Sequence, residues 1–386
     1  MKRVAVVGAS LSGLRAVEAL RKRGYGGSIT WIGAEPRAPY DRPPLSKQIL
    51  RGDWPPERVV LKPSHETLDV DLRLGRRAVA LDARERCLEL DDGRRVLYEG
   101  LVVATGAVPR KLAGPALEGV HTLRTLEDAL AIRRALENKP RVAIVGAGFI
   151  GLEVAASCRA LGLEVSLVEL QKVPLAAALG EVMGEAVAGL HREHGVELLT
   201  GVGVSSLVGD RRVEGLRLSD GRSVSAGLVV VGIGVVPDTR WLESSGIALQ
   251  DGVLCDERCA ASLPGVVACG DVARITGGTA ESVRVEHWSN AVEQAAAAAA
   301  RLLHGPSAPP LRSIPYFWSD QYDVKLQCVG RRQPGDTLRI VEGSMATKDL
   351  VALYGRAGKL CAALTVNKPA ALIKYRRAIS EGASFE

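Results

Sequence analysis

The chain has 386 residues, 47% of them hydrophobic and 24% charged, with 42 glycines and a formal net charge of +6. That is too long for one hydrophobic core, and the composition excludes disordered, collagen-like and fibrous classes in favour of an α/β protein of two or three domains. No run approaches the ~20 uncharged apolar residues of a membrane span; residues 1–7 run straight into a strand-like stretch with no signal-peptide core, so a cytoplasmic protein is expected.

In chain order, apolar periodicity predicts strand 4–7, helix 11–23, strands 29–32 and 101–104, and helix 126–138. Strand 142–145, helix 150–161, strand 165–168, helix 181–193, strands 196–199, 228–231 and 266–269, and helix 290–303 follow. From about residue 314 the pattern changes to short strands at 322–329, 337–341, 350–354 and 360–366, closed by a helix after Pro369.

Comparing the chain with itself explains this order. Residues 4–24 read VAVVGASLSGLRAVEALRKRG and residues 142–162 read VAIVGAGFIGLEVAASCRALG. They align without a gap, Gly8 on Gly146, Gly13 on Gly151 and Gly24 on Gly162. A second echo follows each: Asp92-Gly93-Arg94 before GLVVATGAVP at 100–109, and Asp220-Gly221-Arg222 before GLVVVGIGVVP at 227–237. A D-G turn suits a hairpin, and a buried apolar strand then ends in a glycine-containing loop. The chain is therefore expected to carry two Rossmann-like dinucleotide-binding domains plus a small α+β C-terminal domain. The expected boundaries are 1–112 for the first part of one nucleotide domain, 113–239 for the other, 240–312 for the second part of the first, and 313–386 for the tail.

Gly146-Ala-Gly148-Phe-Ile150-Gly151 is a full G-x-G-x-x-G between strand and helix. Its glycines allow a tight turn, close approach of backbone to a pyrophosphate, and helix–strand packing. Glu169 closes the next strand at the distance expected of a ribose-binding acid. The N-terminal copy has Ser10 at the second glycine position, between Gly8 and Gly13, with Glu35 as its ribose acid. Glu169 would accept from a free 2′-hydroxyl and repel a 2′-phosphate, and the following LQK offers one lysine, so NADH is expected over NADPH.

Seven scattered cysteines, an odd number, do not suit a disulfide framework. Cys255 and Cys259 lie close together but have no second pair or nearby histidine, so no metal is expected. A dithiol relay would need a C-x-x-C, which is absent. Basic clusters at Arg21-Lys22-Arg23, at Arg76-Arg77 and around Lys374 lack the interleaved aromatics of a specific nucleic-acid site, whereas net positive charge would steer an acidic protein partner.

Four more stretches carry a family resemblance: PYDRPPLSK at 39–47, ATG at 104–106, VVACGDVA at 266–273 and EHWSNA at 286–291. With them the whole chain resembles the FAD-dependent NAD(P)H–ferredoxin reductases of the putidaredoxin reductase and dioxygenase reductase type. The resemblance implies FAD binding by Gly8, Ser10, Gly13, Glu35, Arg42, Lys47, Thr105, Gly106, Arg110 and Asp271, with Trp288 nearby. It implies nicotinamide dinucleotide binding by Gly146, Gly148, Ile150, Gly151, Glu153, Glu169 and Gly234, with Glu286 near the ring. It places Lys47 beside the flavin, paired with Glu153, and Trp318 of PYFWSDQY at 315–322 over the flavin; these three are the expected catalytic residues. The implied reaction carries electrons from NADH through FAD to an acidic [2Fe–2S] ferredoxin, bound transiently, that serves a cytochrome P450 or ring-hydroxylating oxygenase. NADH oxidase, rubredoxin reductase, monodehydroascorbate reductase or a redox-switched scaffold would use the same two nucleotide sites. A monomer or homodimer is expected.

Overall fold

The computed structural model describes residues 1–63, 68–277 and 282–385. The chain packs as two compact units, one of Met1–Asp41, Val59–Val108 and Val236–Pro315, the other of Arg42–Arg58, Pro109–Val235 and Tyr316–Glu386.

In the first unit five parallel strands lie in the order Val266–Ala268, Gly100–Val103, Arg3–Val7, Ser28–Gly33, Asp71–Leu74. The central strand pairs Val4 with Ile29 on one side and Gly100 on the other. Helix Leu11–Lys22 follows it, and the alanine-rich helix Trp288–His304 packs alongside. Leu14, Ala16 and Val17 share a core with Ala295, Ala298 and Ala299, and these small side chains let the two helix backbones come close. An antiparallel sheet of Ala78–Asp82, Cys87–Leu90 and Arg95–Leu97 completes the unit's β-structure along with smaller pairings.

The second unit repeats the plan: Glu197–Thr200, Val165–Glu169, Val142–Val145, Leu228–Val231, Val120–Thr122, all parallel. In both sheets the strand entering the glycine turn is central, flanked by the strand leading to the acid and by the strand after the D-G hairpin. The fifth strand differs in origin: in the first sheet it comes from far downstream, at Val266–Ala268, in the second from just upstream, at Val120–Thr122. All four residues of Gly100–Val103, Val142–Val145 and Leu228–Val231 are buried, as strands covered on both faces require. The hairpins correspond even in their side chains. Arg94 Nε donates to Asp92 Oδ2 and Arg222 Nε to Asp220 Oδ2, each at 2.8 Å.

The predicted elements match those observed to within two residues at most ends; helix Glu181–Glu193 and the strands Val142–Val145 and Leu228–Val231 coincide with their expected bounds. Two differences have physical causes. Arg42–Arg58, expected inside 1–112, packs in the second unit, where Leu50 fills a core with Ile132 and Leu152. In the tail the expected strand 322–329 is observed as Val324–Gly330, and an unexpected strand, Tyr316–Gln321, precedes it, with Tyr322 turning the chain between them at φ 56. That strand was hidden because its inward positions are the polar Ser319 and Gln321, both fully buried, so hydrophobic alternation is lost. The C-terminal sheet runs Tyr316–Gln321, Val324–Gly330, Lys359–Val366, Asp349–Arg356, Thr337–Ser344, antiparallel throughout. Helix Pro369–Ser380 opens on a proline, which lacks only an amide proton the first turn cannot use. Among the described residues no helix is long and apolar enough to cross a membrane.

Candidate functional site

In the first unit the chain leaves Arg3–Val7 through Gly8, whose φ of 119 lies outside the range of ordinary residues. A Cβ there would stand 2.0 Å from the Ala104 carbonyl oxygen, and one on Gly13 would stand 1.8 Å from the Gly8 carbonyl oxygen. Buried Trp31 donates its indole N–H to that Gly8 carbonyl at 3.0 Å and pins the turn. Helix Leu11–Lys22 starts at Ser10, whose hydroxyl does not cap it, so the first-turn amides and the positive helix end are left for an anion. Glu35, beyond the second strand, accepts from the Tyr40 hydroxyl.

The remaining first-unit candidates line the ends of this sheet. Thr105 Oγ1 donates to the Asp238 carbonyl at 2.8 Å and Asp238 N–H donates to the Gly106 carbonyl at 3.0 Å, so this loop is braced by a residue the sequence did not single out. Asp271 sits in the tight turn Gly270–Val272, fixed where Gly270 N–H meets Gln294 Oε1 at 2.8 Å. Its carbonyl accepts from Arg284 at 3.2 Å, and Arg284 also pairs with Glu286 at 2.5 Å. Trp288 Nε1 donates to Asp41 Oδ1 at 2.7 Å, tying EHWSNA to the start of the DRPPLSK stretch. Burial pushes the adjacent His287 down to about 4, against the pull of Asp271, so this ring is neutral at pH 7.

The second unit's turn is the fuller version. Gly146 has φ 102, a Cβ on it would meet the Gly232 carbonyl oxygen at 2.4 Å, and one on Gly151 would meet the Gly146 carbonyl oxygen at 2.0 Å. Gly148 is different: a Cβ there meets no atom within 4 Å. Its lack of a side chain serves nothing in the protein's own packing and leaves a cradle at an uncapped helix N-terminus, which fits a pyrophosphate. The Glu169 carboxylate is fixed by backbone, Oε2 accepting from Ala147 N–H at 2.6 Å and Oε1 from Gln171 N–H at 2.8 Å. Ile150 lies half exposed on the first helical turn, and the Gly234 carbonyl accepts from Arg110 N–H at 2.9 Å.

A buried ion pair lies in the same unit. Lys47 Nζ stands 2.9 Å from Glu153 Oε2, with the side chains 6% and 5% exposed. Ser46 Oγ donates to the same oxygen at 2.5 Å, and Ser319 Oγ donates to Oε1 at 2.8 Å. Among the described residues the Lys47 ammonium has Glu153 as its one polar side-chain partner, although it carries three donors. A buried cation so sparsely matched fits a further polar acceptor, such as the heteroatoms of a flavin ring. Trp318 is the residue before Ser319; its ring stacks with Tyr316 at 5.9 Å, and Phe317 meets Phe149 at 4.7 Å. Arg42, one of the expected FAD-binding residues, donates to the Arg124 carbonyl.

The seven cysteines are free thiols, six of them buried. Burial pushes Cys158, Cys255, Cys269 and Cys328 up to about 12, so these are not nucleophilic thiolates. No group of three or more metal-ligating side chains occurs among the described residues. The residues that sequence reasoning missed are Ser46, Ser319, Gln321 and His191 around Glu153. Ser46, Ser319 and Gln321 lie inside recognised motifs; His191, 130 positions from Gln321, leaves no sequence signal.

Two family models cover the chain: pyridine nucleotide-disulphide oxidoreductase over residues 2–295 and reductase C-terminal over residues 316–386. The chain is 37% identical to rhodocoxin reductase of Rhodococcus erythropolis, over 95% of this chain and 86% of that protein. It is 36% identical to the ferredoxin–NAD(+) reductase component of the p-cumate 2,3-dioxygenase system of Pseudomonas putida, over 100% and 95%. The crystal structure of the covalent putidaredoxin reductase–putidaredoxin complex matches with a TM-score of 0.93 at 32% identity, over 99% of this chain and 93% of that one. With two nucleotide-binding units, a buried lysine–glutamate pair and full-length similarity to such reductases, the chain belongs to the FAD-binding pyridine nucleotide-disulphide oxidoreductase family, among its ferredoxin reductases.

Proposed function

We propose that this protein takes electrons from NADH and delivers them through FAD to an acidic [2Fe–2S] ferredoxin that serves a cytochrome P450 or ring-hydroxylating oxygenase. The observation that carries this reading is the buried Lys47–Glu153 pair in a chain built from two nucleotide-binding units. When bound, FAD supplies the conversion of a two-electron hydride step into single-electron steps. FAD is assigned to Gly8, Ser10, Gly13, Glu35, Arg42, Thr105, Gly106, Arg110 and Asp271, with Trp288 and Trp318 alongside. NADH is assigned to Gly146, Gly148, Ile150, Gly151, Glu169 and Gly234, with Glu286 at its ring.

The chain's own residues bind, orient and supply charge. The two helix N-termini hold pyrophosphates, and Glu35 and Glu169 accept from ribose hydroxyls. Backbone contacts hold the Glu169 carboxylate against the glycine turn, where it favours a 2′-hydroxyl and disfavours a 2′-phosphate, hence NADH. Lys47 presents a fixed positive charge that favours electron-rich flavin. The partner choice rests on the relatives' ferredoxins and on the net charge of +6, which attracts an acidic protein at low ionic strength. Anaerobic addition of NADH to the purified yellow protein is expected to bleach its flavin absorbance within the time of catalysis. Protein without flavin absorbance, and with none gained on adding FAD, would overturn the proposal.

A further inference from the structure

Beyond Glu153, buried polar side chains continue in single file through the second unit. Ser319 Oγ donates to Glu153 Oε1 at 2.8 Å and accepts from Gln321 Nε2 at 3.1 Å. Gln321 Oε1 lies 2.8 Å from His191 Nε2, and His191 Nδ1 lies 3.1 Å from the Tyr322 hydroxyl. Ser319, Gln321 and His191 are fully buried. The direction of every bond is determined. The Gln321 oxygen can only accept, so His191 carries its proton on Nε2. Burial pushes His191 down to about 4, leaving the ring neutral with Nδ1 as an acceptor. The Tyr322 phenol, which burial keeps protonated, then donates to it. Each donor therefore points the same way, towards the carboxylate, and bonds polarised in series reinforce one another. His194 stacks on the Tyr322 ring with centroids 3.6 Å apart and closes the outer end.

We infer that Tyr322, His191, Gln321 and Ser319 form a one-way positioning chain that holds the Glu153 carboxylate in the orientation that pairs it with Lys47. Burying three polar side chains in a row, with a half-buried tyrosine at their end, is costly unless each is satisfied. Packing alone would be served as well by apolar residues, so the series is best accounted for by the anion at its end. Its consequence for the flavin rests on the proposed placement of Lys47 and Glu153 beside that ring. None of the four is a catalytic residue; they act through Glu153.

The test uses the FAD-loaded protein and the variants Ser319→Ala, His191→Leu and Glu153→Gln, singly and as the doubles S319A/E153Q and H191L/E153Q. The thermal unfolding midpoint and the flavin midpoint potential are read for each. If the chain acts on Glu153, each double loses less unfolding midpoint than its two singles summed, although His191 does not touch Glu153. The potential then shifts in S319A and H191L in the same sense as in E153Q and by less, and Ser319→Thr, which keeps the hydroxyl, restores it. Additive losses in both doubles would overturn the chain. So would a potential that moves in E153Q but in neither S319A nor H191L. A potential unmoved in E153Q would instead remove the pair from the flavin, while the unfolding cycles still decide whether the chain exists.

Discussion

Replacing Lys47 by methionine strikes the one ion pair the sequence singled out. The two side chains are 6% and 5% exposed, and the lysine's one polar side-chain partner among the described residues is Glu153. Removing one member of such a pair leaves the other charge buried, a change that costs about 3–5 kcal/mol, whereas removing both costs much less. Glu153 keeps the Ser46 and Ser319 hydroxyls as donors, so K47M belongs at the low end, about 3 kcal/mol. E153Q leaves the ammonium facing a neutral amide oxygen and loses a similar amount. The double variant K47M/E153Q has no stranded charge and recovers most of the loss, so the coupling is about 2 kcal/mol or more. Denaturant unfolding at saturating FAD, followed by tryptophan fluorescence, gives the three differences. A double variant as destabilised as the sum of the singles would refute the reasoning, since it would show the pair to be solvated in solution.

Gly148→Ala fills space the protein does not use, so the unfolding midpoint should hold while NADH binding weakens about tenfold or more; Gly151→Ala, with its Cβ 2.0 Å from a carbonyl oxygen, should destabilise the fold itself. Equal loss of stability in both would remove the cradle. Glu169→Ala removes a charged hydrogen-bond acceptor worth about 1.5–3 kcal/mol and should raise the Kd for NADH far more than that for NADPH, measured by titration of flavin-loaded protein; equal losses would strip it of selectivity. His191 is held below its ordinary value of 6.5, at about 4, so the unfolded chain binds this proton more readily. Its contribution is intact above pH 6.5 and is lost as pH falls to 4, in total about 3 kcal/mol. The stability gap between wild type and H191L should therefore narrow across that window; a gap constant with pH would show the ring to be solvated.

Much of the fold was legible because the chain states its nucleotide unit twice. Gly8 and Gly146 close the same turn, and the hairpins at Asp92 and Asp220 recur with their arginines, so each copy supports the reading of the other. The acids Glu35 and Glu169 and the pair Lys47–Glu153 were legible for a related reason: each lies at a fixed offset from a glycine turn or inside a specific motif. The rest depends on contacts that one-dimensional pattern does not encode. Strand Tyr316–Gln321 was missed because its buried face carries Ser319 and Gln321, which hydrogen bonding to Glu153 makes tolerable. Arg42–Arg58 falls in sequence inside the expected 1–112, yet Leu50 is buried in the other unit's core. His191 looks like an ordinary member of an amphipathic helix until its partner on a distant strand is seen.

On the proposed function, NADH electrons leave this protein on a ferredoxin. NADH-dependent reduction of cytochrome c by the FAD-loaded protein, with and without an acidic [2Fe–2S] ferredoxin from an oxygenase system, tests it most directly. Little reduction is expected without the ferredoxin, a strong stimulation with it, and a decline of that stimulation as salt screens the attraction. Rapid NADH oxidation with oxygen alone, unchanged by any ferredoxin, would contradict it.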